Sequence, residues 1–143
     1  MNSSPPSIRP LRILVVEDDD DHAELILHVL GEHHQGHRVE RVSDGAAAIA
    51  YLDQNRGTRP ELVLLDLNLP RVGGIDVLEF VKRDTQLRTI PVVVLTTSAT
   101  DSDRERALAA HANSYVVKPS GFRAFEALLR DIGGYWGQWN LGA

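Results

Sequence analysis

Leu62-Val63-Leu64-Leu65-Asp66, introduced by Pro60 and followed by Asn68, Pro70, Gly73 and Gly74, is the stretch on which the fold turns. An uninterrupted apolar run fits a strand buried on both faces. The run stops at a carboxylate, and the proline and glycines beyond it mark a loop. Upstream, residues 11–16 (Leu-Arg-Ile-Leu-Val-Val) form a similar run that ends at Glu17 and Asp18. Downstream, Pro91 precedes Val92-Val93-Val94-Leu95, which runs into Thr96 and Thr97.

Helical periodicity fills the gaps between these runs. From Asp20, the residues Ala23, Ile26, Leu27 and Leu30 recur at helical spacing. Asp19, Asp20 and Asp21 fall where a helix N-terminus favours negative charge, and Gly36 is read as the end of that helix. Residues 39–42 form a half-polar strand suited to a sheet edge. Ser43 or Asp44 can cap a second helix carried by Ala46, Ile49, Ala50 and Leu52. Ile75, Leu78 and Val81 begin a third helix, and Asp101 or Ser102 begins a fourth that runs through Ala107 and Leu108. Tyr115-Val116-Val117 is a fifth strand, ending in Lys118-Pro119. Phe122, Phe125, Leu128, Leu129 and Ile132 outline the clearest amphipathic helix, up to Gly133-Gly134. Five strands alternating with five helices predict a parallel sheet with helices on both faces.

Composition sets the bounds. The chain has 143 residues, is 43% apolar and 24% charged, and carries a net charge of −5. This is the make-up of one soluble globular domain. The acidic balance argues against sequence-independent nucleic-acid binding. The absence of cysteine excludes disulfides, iron–sulfur clusters and thiol catalysis. No apolar run approaches the roughly 20 residues that span a bilayer, and the N-terminus has no signal-peptide core. The cytoplasm is the expected location. Residues 1–9 read as a flexible leader.

In open α/β sheets, ligands bind outside the carboxyl ends of the strands, at the point where the strand order reverses. Here those ends carry Glu17-Asp18, Asp66, Thr96 and Lys118. In the order 2-1-3-4-5 the first and third strands are neighbours, and three carboxylates crowd together. Close carboxylates repel one another unless something compensates. Mg²⁺ prefers oxygen ligands, Lys118 adds a positive charge, and Thr96 adds a hydroxyl donor. A single strand-end aspartate or an acidic helix start is ordinary. Their co-occurrence at one end of successive strands points to a phosphoryl group held on Asp66, with catalysis by positioning and charge neutralisation.

These motifs resemble those of bacterial two-component response-regulator receiver domains, over about residues 10–133. The matching segments are Val-Val-Glu17-Asp18, Leu-Leu-Asp66-Leu-Asn68-Leu-Pro70 with Gly73-Gly74, Val-Leu-Thr96-Thr97-Ser98, and Tyr115-Val-Val-Lys118-Pro119. The resemblance implies a flavodoxin-like, doubly wound, five-stranded sheet in the order 2-1-3-4-5 with five flanking helices. It implies that Asp66 is the phosphoacceptor, attacking a phosphohistidine or a small phosphodonor. Mg²⁺ would be held by Asp18, Asp66 and the backbone carbonyl of Asn68, with Glu17 acting through a water. Thr96 would bond one phosphoryl oxygen and Lys118 another. The Lys118–Pro119 peptide is expected to be cis. Thr96 and Tyr115 would form the switch, read out on the surface of the fourth helix, fifth strand and fifth helix. Such a protein is a self-catalysed signalling switch rather than an enzyme. Glu17 departs from the more usual aspartate, and the β-branched Thr97 is expected to narrow the pocket and slow phosphoryl exchange.

Residues 134–143 form an aromatic tail too short for an output domain, so no DNA contact is expected. Tyr135, Trp136 and Trp139 are interface candidates; the alternative is that they fold back over the end of the fifth helix. The Thr-Thr-Ser run and the tail resemble small response regulators that partner bacterial phytochromes. The implied partner is a sensor histidine kinase, with one of bacteriophytochrome type first among the candidates, or a histidine phosphotransfer protein; a second copy of the chain is expected to meet the first through helix 4, strand 5, helix 5 and the tail. His33, His34 and His37 read as exposed loop residues, and His22 as a surface histidine close to the acidic pocket. An aspartyl-phosphate phosphatase would need a second acid where Asn68 stands. A flavodoxin-type FMN binder would need a neutral phosphate loop in place of Glu17 to Asp21. A degenerate receiver acting as a constitutive binding module is the remaining alternative.

Overall fold

A strand can be apolar on both sides only if each of its faces meets a core, and the central strands meet that condition. The computed structural model describes residues 10–31 and 34–139. The elements are β1 (Arg12–Val16), α1 (Asp20–Leu30), β2 (Arg38–Val42), α2 (Gly45–Gln54), a 3₁₀ turn (Arg56–Thr58), β3 (Leu62–Leu65), α3 (Gly74–Arg83), β4 (Val92–Thr96), α4 (Asp101–Ala109), β5 (Ser114–Val117) and α5 (Phe122–Gly134). The strands form one parallel sheet, as the alternation predicted, in the order β2-β1-β3-β4-β5 that the resemblance implied.

Successive side chains of a strand point to opposite faces. Leu14, Val16, Val63, Leu65, Val92 and Val94 therefore pack into one layer with Leu52 of α2, Val77, Leu78 and Val81 of α3, and Ala107 of α4. Ile13, Val15, Leu62, Leu64, Val93 and Leu95 pack into the other with Ile26, Val29 and Leu30 of α1, and Phe125, Leu129 and Ile132 of α5. The half-polar β2 lies at one edge, where only one neighbour and partial burial are required.

Caps fix the helix starts. Asp19 accepts from the His22 N–H and begins α1; Asp44 accepts from the Ala47 N–H and begins α2; Thr100 accepts from the Asp103 N–H and begins α4. The helix α4 therefore starts at Asp101, as expected, with Thr100 as its cap. α1 stops at Leu30, capped by Gly31, whose N–H bonds the Leu27 carbonyl. Gly36 sits instead in the following turn at φ +80°, a region that favours glycine. In α2 the inward positions are Ala48 and Leu52, while Ala46 and Ala50 are exposed; alanines on every side of a helix do not mark a face.

Three further expectations are corrected. Phe122, placed on the apolar face of α5, is 64% exposed, because the buried stripe begins one turn later at Phe125. His37, expected at the surface, is fully buried, and its Nδ1 accepts the Leu11 N–H at 3.0 Å; the chain entering β2 runs beside the start of β1 and covers it. Gly133 and Gly134 do not end the helix: α5 includes both, and a π-helical turn, Tyr135–Trp139, follows directly. A Cβ on Gly133 would lie 1.7 Å from Gln35 Oε1 and 2.7 Å from Leu30 Cδ2, so this glycine serves the close approach of α5 to the end of α1. No helix among the described residues is long and apolar enough to cross a membrane.

Candidate functional site

The sheet order makes β1 and β3 neighbours, with Val16 beside Leu65. The next residues of both strands, Glu17 and Asp66, are thereby delivered side by side at the carboxyl edge. The Asp66 N–H continues the ladder by bonding the Val16 carbonyl at 3.0 Å. β4 and β5 pair Thr96 with Val117, and the Lys118 N–H bonds the Thr96 carbonyl at 2.7 Å, which turns the lysine side chain toward the same edge.

Lys118 is at the centre. Its ammonium donates to Glu17 Oε1 in a short ion pair, to Asp66 Oδ2 at 3.0 Å, and to His22 Nδ1 at 2.9 Å. Glu17, Asp66 and Lys118 are all buried, whereas Asp18 is exposed at the rim. Burial pushes the Glu17 carboxyl up to about 7; the Lys118 hydrogen bond and charge pull against that rise, and the Asp66 charge adds to it. The Asn68 N–H donates to Asp66 Oδ1 at 3.1 Å, and the Asp19 N–H to Glu17 Oε2 at 3.2 Å, so each buried carboxylate is oriented by a backbone donor.

Carboxylate oxygens of Glu17, Asp18 and Asp66 lie within 4.8 Å of one another. An all-oxygen, anionic donor set with one exposed member fits a hard divalent cation such as Mg²⁺, which keeps several waters of its own. The single ammonium among three carboxylates leaves a negative balance that such an ion would neutralise.

Thr96 is fully buried, and its Oγ1 accepts the Ser98 N–H at 3.3 Å. The Tyr115 hydroxyl donates to the Ser98 carbonyl at 2.7 Å, and Ser98 Oγ donates to Asp103 of α4. Ser98 therefore joins Thr96, Tyr115 and α4, a role for which its position after Thr-Thr was the available signal. Beside Lys118 a cleft of about 460 Å³ opens, lined among others by Asp21, His22, Thr97, Phe122 and Phe125. Thr97 is exposed there.

The Lys118–Pro119 peptide differs from expectation. Among the described residues there is no cis peptide bond, so this linkage is trans, the form that an X–Pro bond prefers by about 0.5–1 kcal/mol when nothing opposes it. His22 was read as an ordinary surface residue, but its ring reaches Lys118. The available signal was its place in the first turn of α1, directly after the acidic strand end. The aromatic tail does not join this site. Tyr135 is exposed, and Trp136 is half-buried against the α1–α5 core layer, so that part of the tail folds back. The Trp139 side chain lies outside the described residues, as does His33.

The response regulator receiver domain family matches residues 13–130, and the chain belongs to that family. The probable methanogenesis regulatory protein FilR2 of Methanothrix harundinacea is 45% identical over 134 residues, 92% of this chain and 86% of that protein. The response regulator Rcp1 of Synechocystis sp. is 36% identical over 138 residues, 94% of this chain and 91% of its own. Its Mn²⁺-bound crystal structure superposes with a TM-score of 0.85, covering 92% of this chain and 97% of that one. The phosphorylated cyanobacterial phytochrome response regulator RcpA, 37% identical, superposes with a TM-score of 0.84 over 89% of this chain and 94% of its own.

Proposed function

We propose that this protein is a phosphorylation-driven switch in which Asp66 accepts a phosphoryl group from a histidine kinase or histidine phosphotransfer protein. The observation that carries the reading is the Lys118 ammonium held between Glu17 and Asp66, with Asp18 close enough to complete an oxygen site. An Asp66 carboxylate oxygen attacks phosphorus; the new O–P bond forms as the P–N bond of the phosphohistidine breaks, and its electron pair leaves with the imidazole. Glu17, Asp18, Asp66 and the Asn68 carbonyl would hold Mg²⁺, which when bound neutralises charge on the phosphoryl oxygens. Lys118 exchanges its contact with Asp66 for one with a phosphoryl oxygen, and the Thr96 hydroxyl donates to another. Asn68 offers no acid for rapid hydrolysis, which suits a signal over a turnover cycle.

The switch is read out on α4, β5 and α5. Movement of Thr96 toward the phosphoryl group would disturb its bond from Ser98 and, through Ser98, the contacts to Tyr115 and Asp103. The exposed apolar residues Leu108, Val117, Phe122 and Tyr135 belong to α4, β5, α5 and the turn after it, which supports this side as the place where a second copy or a target binds. Similarity to a phytochrome response regulator supports a phytochrome-type sensor kinase in the cytoplasm as the upstream partner.

The test is intact mass after incubation with acetyl phosphate and Mg²⁺, with light scattering on the same samples. One phosphoryl adduct is expected, dependent on Mg²⁺ and absent from Asp66→Asn. A wild type that takes up no phosphoryl group at high donor concentration would leave a constitutive binding module.

A further inference from the structure

We infer that His22 is a positioning residue for Lys118, aiming the ammonium at the acceptor oxygen of Asp66. This rests on the reading of Asp66 as phosphoacceptor. The contact is His22 Nδ1 to Lys118 Nζ at 2.9 Å. An ammonium has three protons to donate and no lone pair, so Nδ1 must accept. The ring is then neutral, with its proton on Nε2.

Three features hold the ring in that pose. The His22 N–H is fixed by the Asp19 cap at 3.0 Å. Phe125 meets the imidazole edge-to-face, with centroids 5.5 Å apart and planes at 84°. The helical backbone of α1 carries the side chain to the cleft wall. The imidazole therefore reaches Lys118 from a fixed scaffold rather than from a loop.

The three partners of Lys118 differ in what phosphoryl transfer asks of them. Glu17 and Asp66 are carboxyl groups with second duties, one at the cation site and one in the O–P bond. His22 has neither duty and adds no charge. It gives Lys118 a neutral anchor that persists when the carboxylates change partners, and so limits the lysine to one direction of approach. Positioning of this kind acts on the rate of the transfer step.

The experiment compares wild type, His22→Leu and His22→Asn by time-resolved intact mass with acetyl phosphate and Mg²⁺. Leucine keeps an apolar contact for Phe125 and removes the acceptor; asparagine places Oδ1 where Nδ1 was. Adduct formation is expected to slow about tenfold in His22→Leu, the effect of one lost hydrogen bond to a charged group, and to recover in His22→Asn. In a Lys118→Ala background, His22→Leu should have no further effect. ¹⁵N NMR of the wild-type imidazole should show the Nε2-protonated tautomer, with the Nδ1 resonance shifting in Lys118→Ala. Equal rates in wild type and His22→Leu, or an Nδ1 resonance indifferent to Lys118, would overturn the proposal while leaving Asp66 as acceptor. No adduct in wild type, or an adduct that persists in Asp66→Asn, overturns both.

Discussion

Asp18 is the exposed member of a three-carboxylate group whose other two members are buried against one ammonium. Its carboxylate lies close to two others. Removing it should cost no stability, and it should abolish the benefit of added Mg²⁺. A ligand that binds only the folded state stabilises by about 2.7 kcal/mol at a hundredfold excess over its Kd. Thermal melting should therefore show an upward shift with Mg²⁺ in the wild type and none in Asp18→Ala. An equal shift in both proteins would remove Asp18 from the cation site.

Elements are placed by close backbone contacts and by caps, and both make predictions. Gly74 begins α3 directly against the loop that carries Asp66: a Cβ there would lie 2.4 Å from the Asp66 carbonyl oxygen and 2.6 Å from Leu67 Cα. These are backbone atoms that cannot swing aside. Gly74→Ala is expected to lose about 1–3 kcal/mol in urea unfolding and to slow phosphoryl uptake by displacing Asp66. The other end of α3 is fastened by Asp84. Its carboxylate pairs with Arg56 at 2.8 Å and accepts the N–H groups of Gln86 and Leu87 at 2.8 and 3.1 Å; the Arg56 contact first, then these N–H groups, hold it down to about 2. A folded value below the unfolded value of about 3.9 means stability that is present above that pH and lost as pH falls toward 2. The difference in melting temperature between wild type and Asp84→Asn should thus be largest near neutrality and shrink below about pH 4; a difference that stays constant would show that the charge is not what fastens the helix.

At the scale of the molecule, one sheet separates two cores, so neighbours in sequence support opposite sides. Leu64 packs with α1 and α5, and Leu65 with α2, α3 and α4. Truncating either to alanine should cost about 2–5 kcal/mol. Because both layers share β1, β3 and β4, each variant should still unfold in a single transition. Far-ultraviolet circular dichroism and tryptophan fluorescence, to which Trp136 on the α1–α5 side contributes, should give the same midpoint in both variants. Two separated midpoints for Leu65→Ala would mean that the layers fold independently.

The sequence by itself determined the parallel sheet, because β1, β3 and β4 are apolar without alternation and only a strand covered on both faces tolerates that. It also determined which residues share the carboxyl edge, because parallel strands deliver their ends to one side: Thr96 closes β4, while Glu17-Asp18, Asp66 and Lys118 come directly after β1, β3 and β5. Pattern failed where the decision belonged to a neighbour distant in the chain. Lys118, 96 residues from His22, gives that histidine its partner. The start of β1 buries His37, the side chains of Leu30 and Gln35 occupy the space a Cβ on Gly133 would take, and the path of α5 leaves Phe122 outside the core. Ala46 and Ala50 in α2 could not be told from Ala48, since a methyl group is indifferent to either side. The trans linkage before Pro119 was equally beyond the sequence, because the two forms differ by about 1 kcal/mol or less and tertiary contacts choose between them.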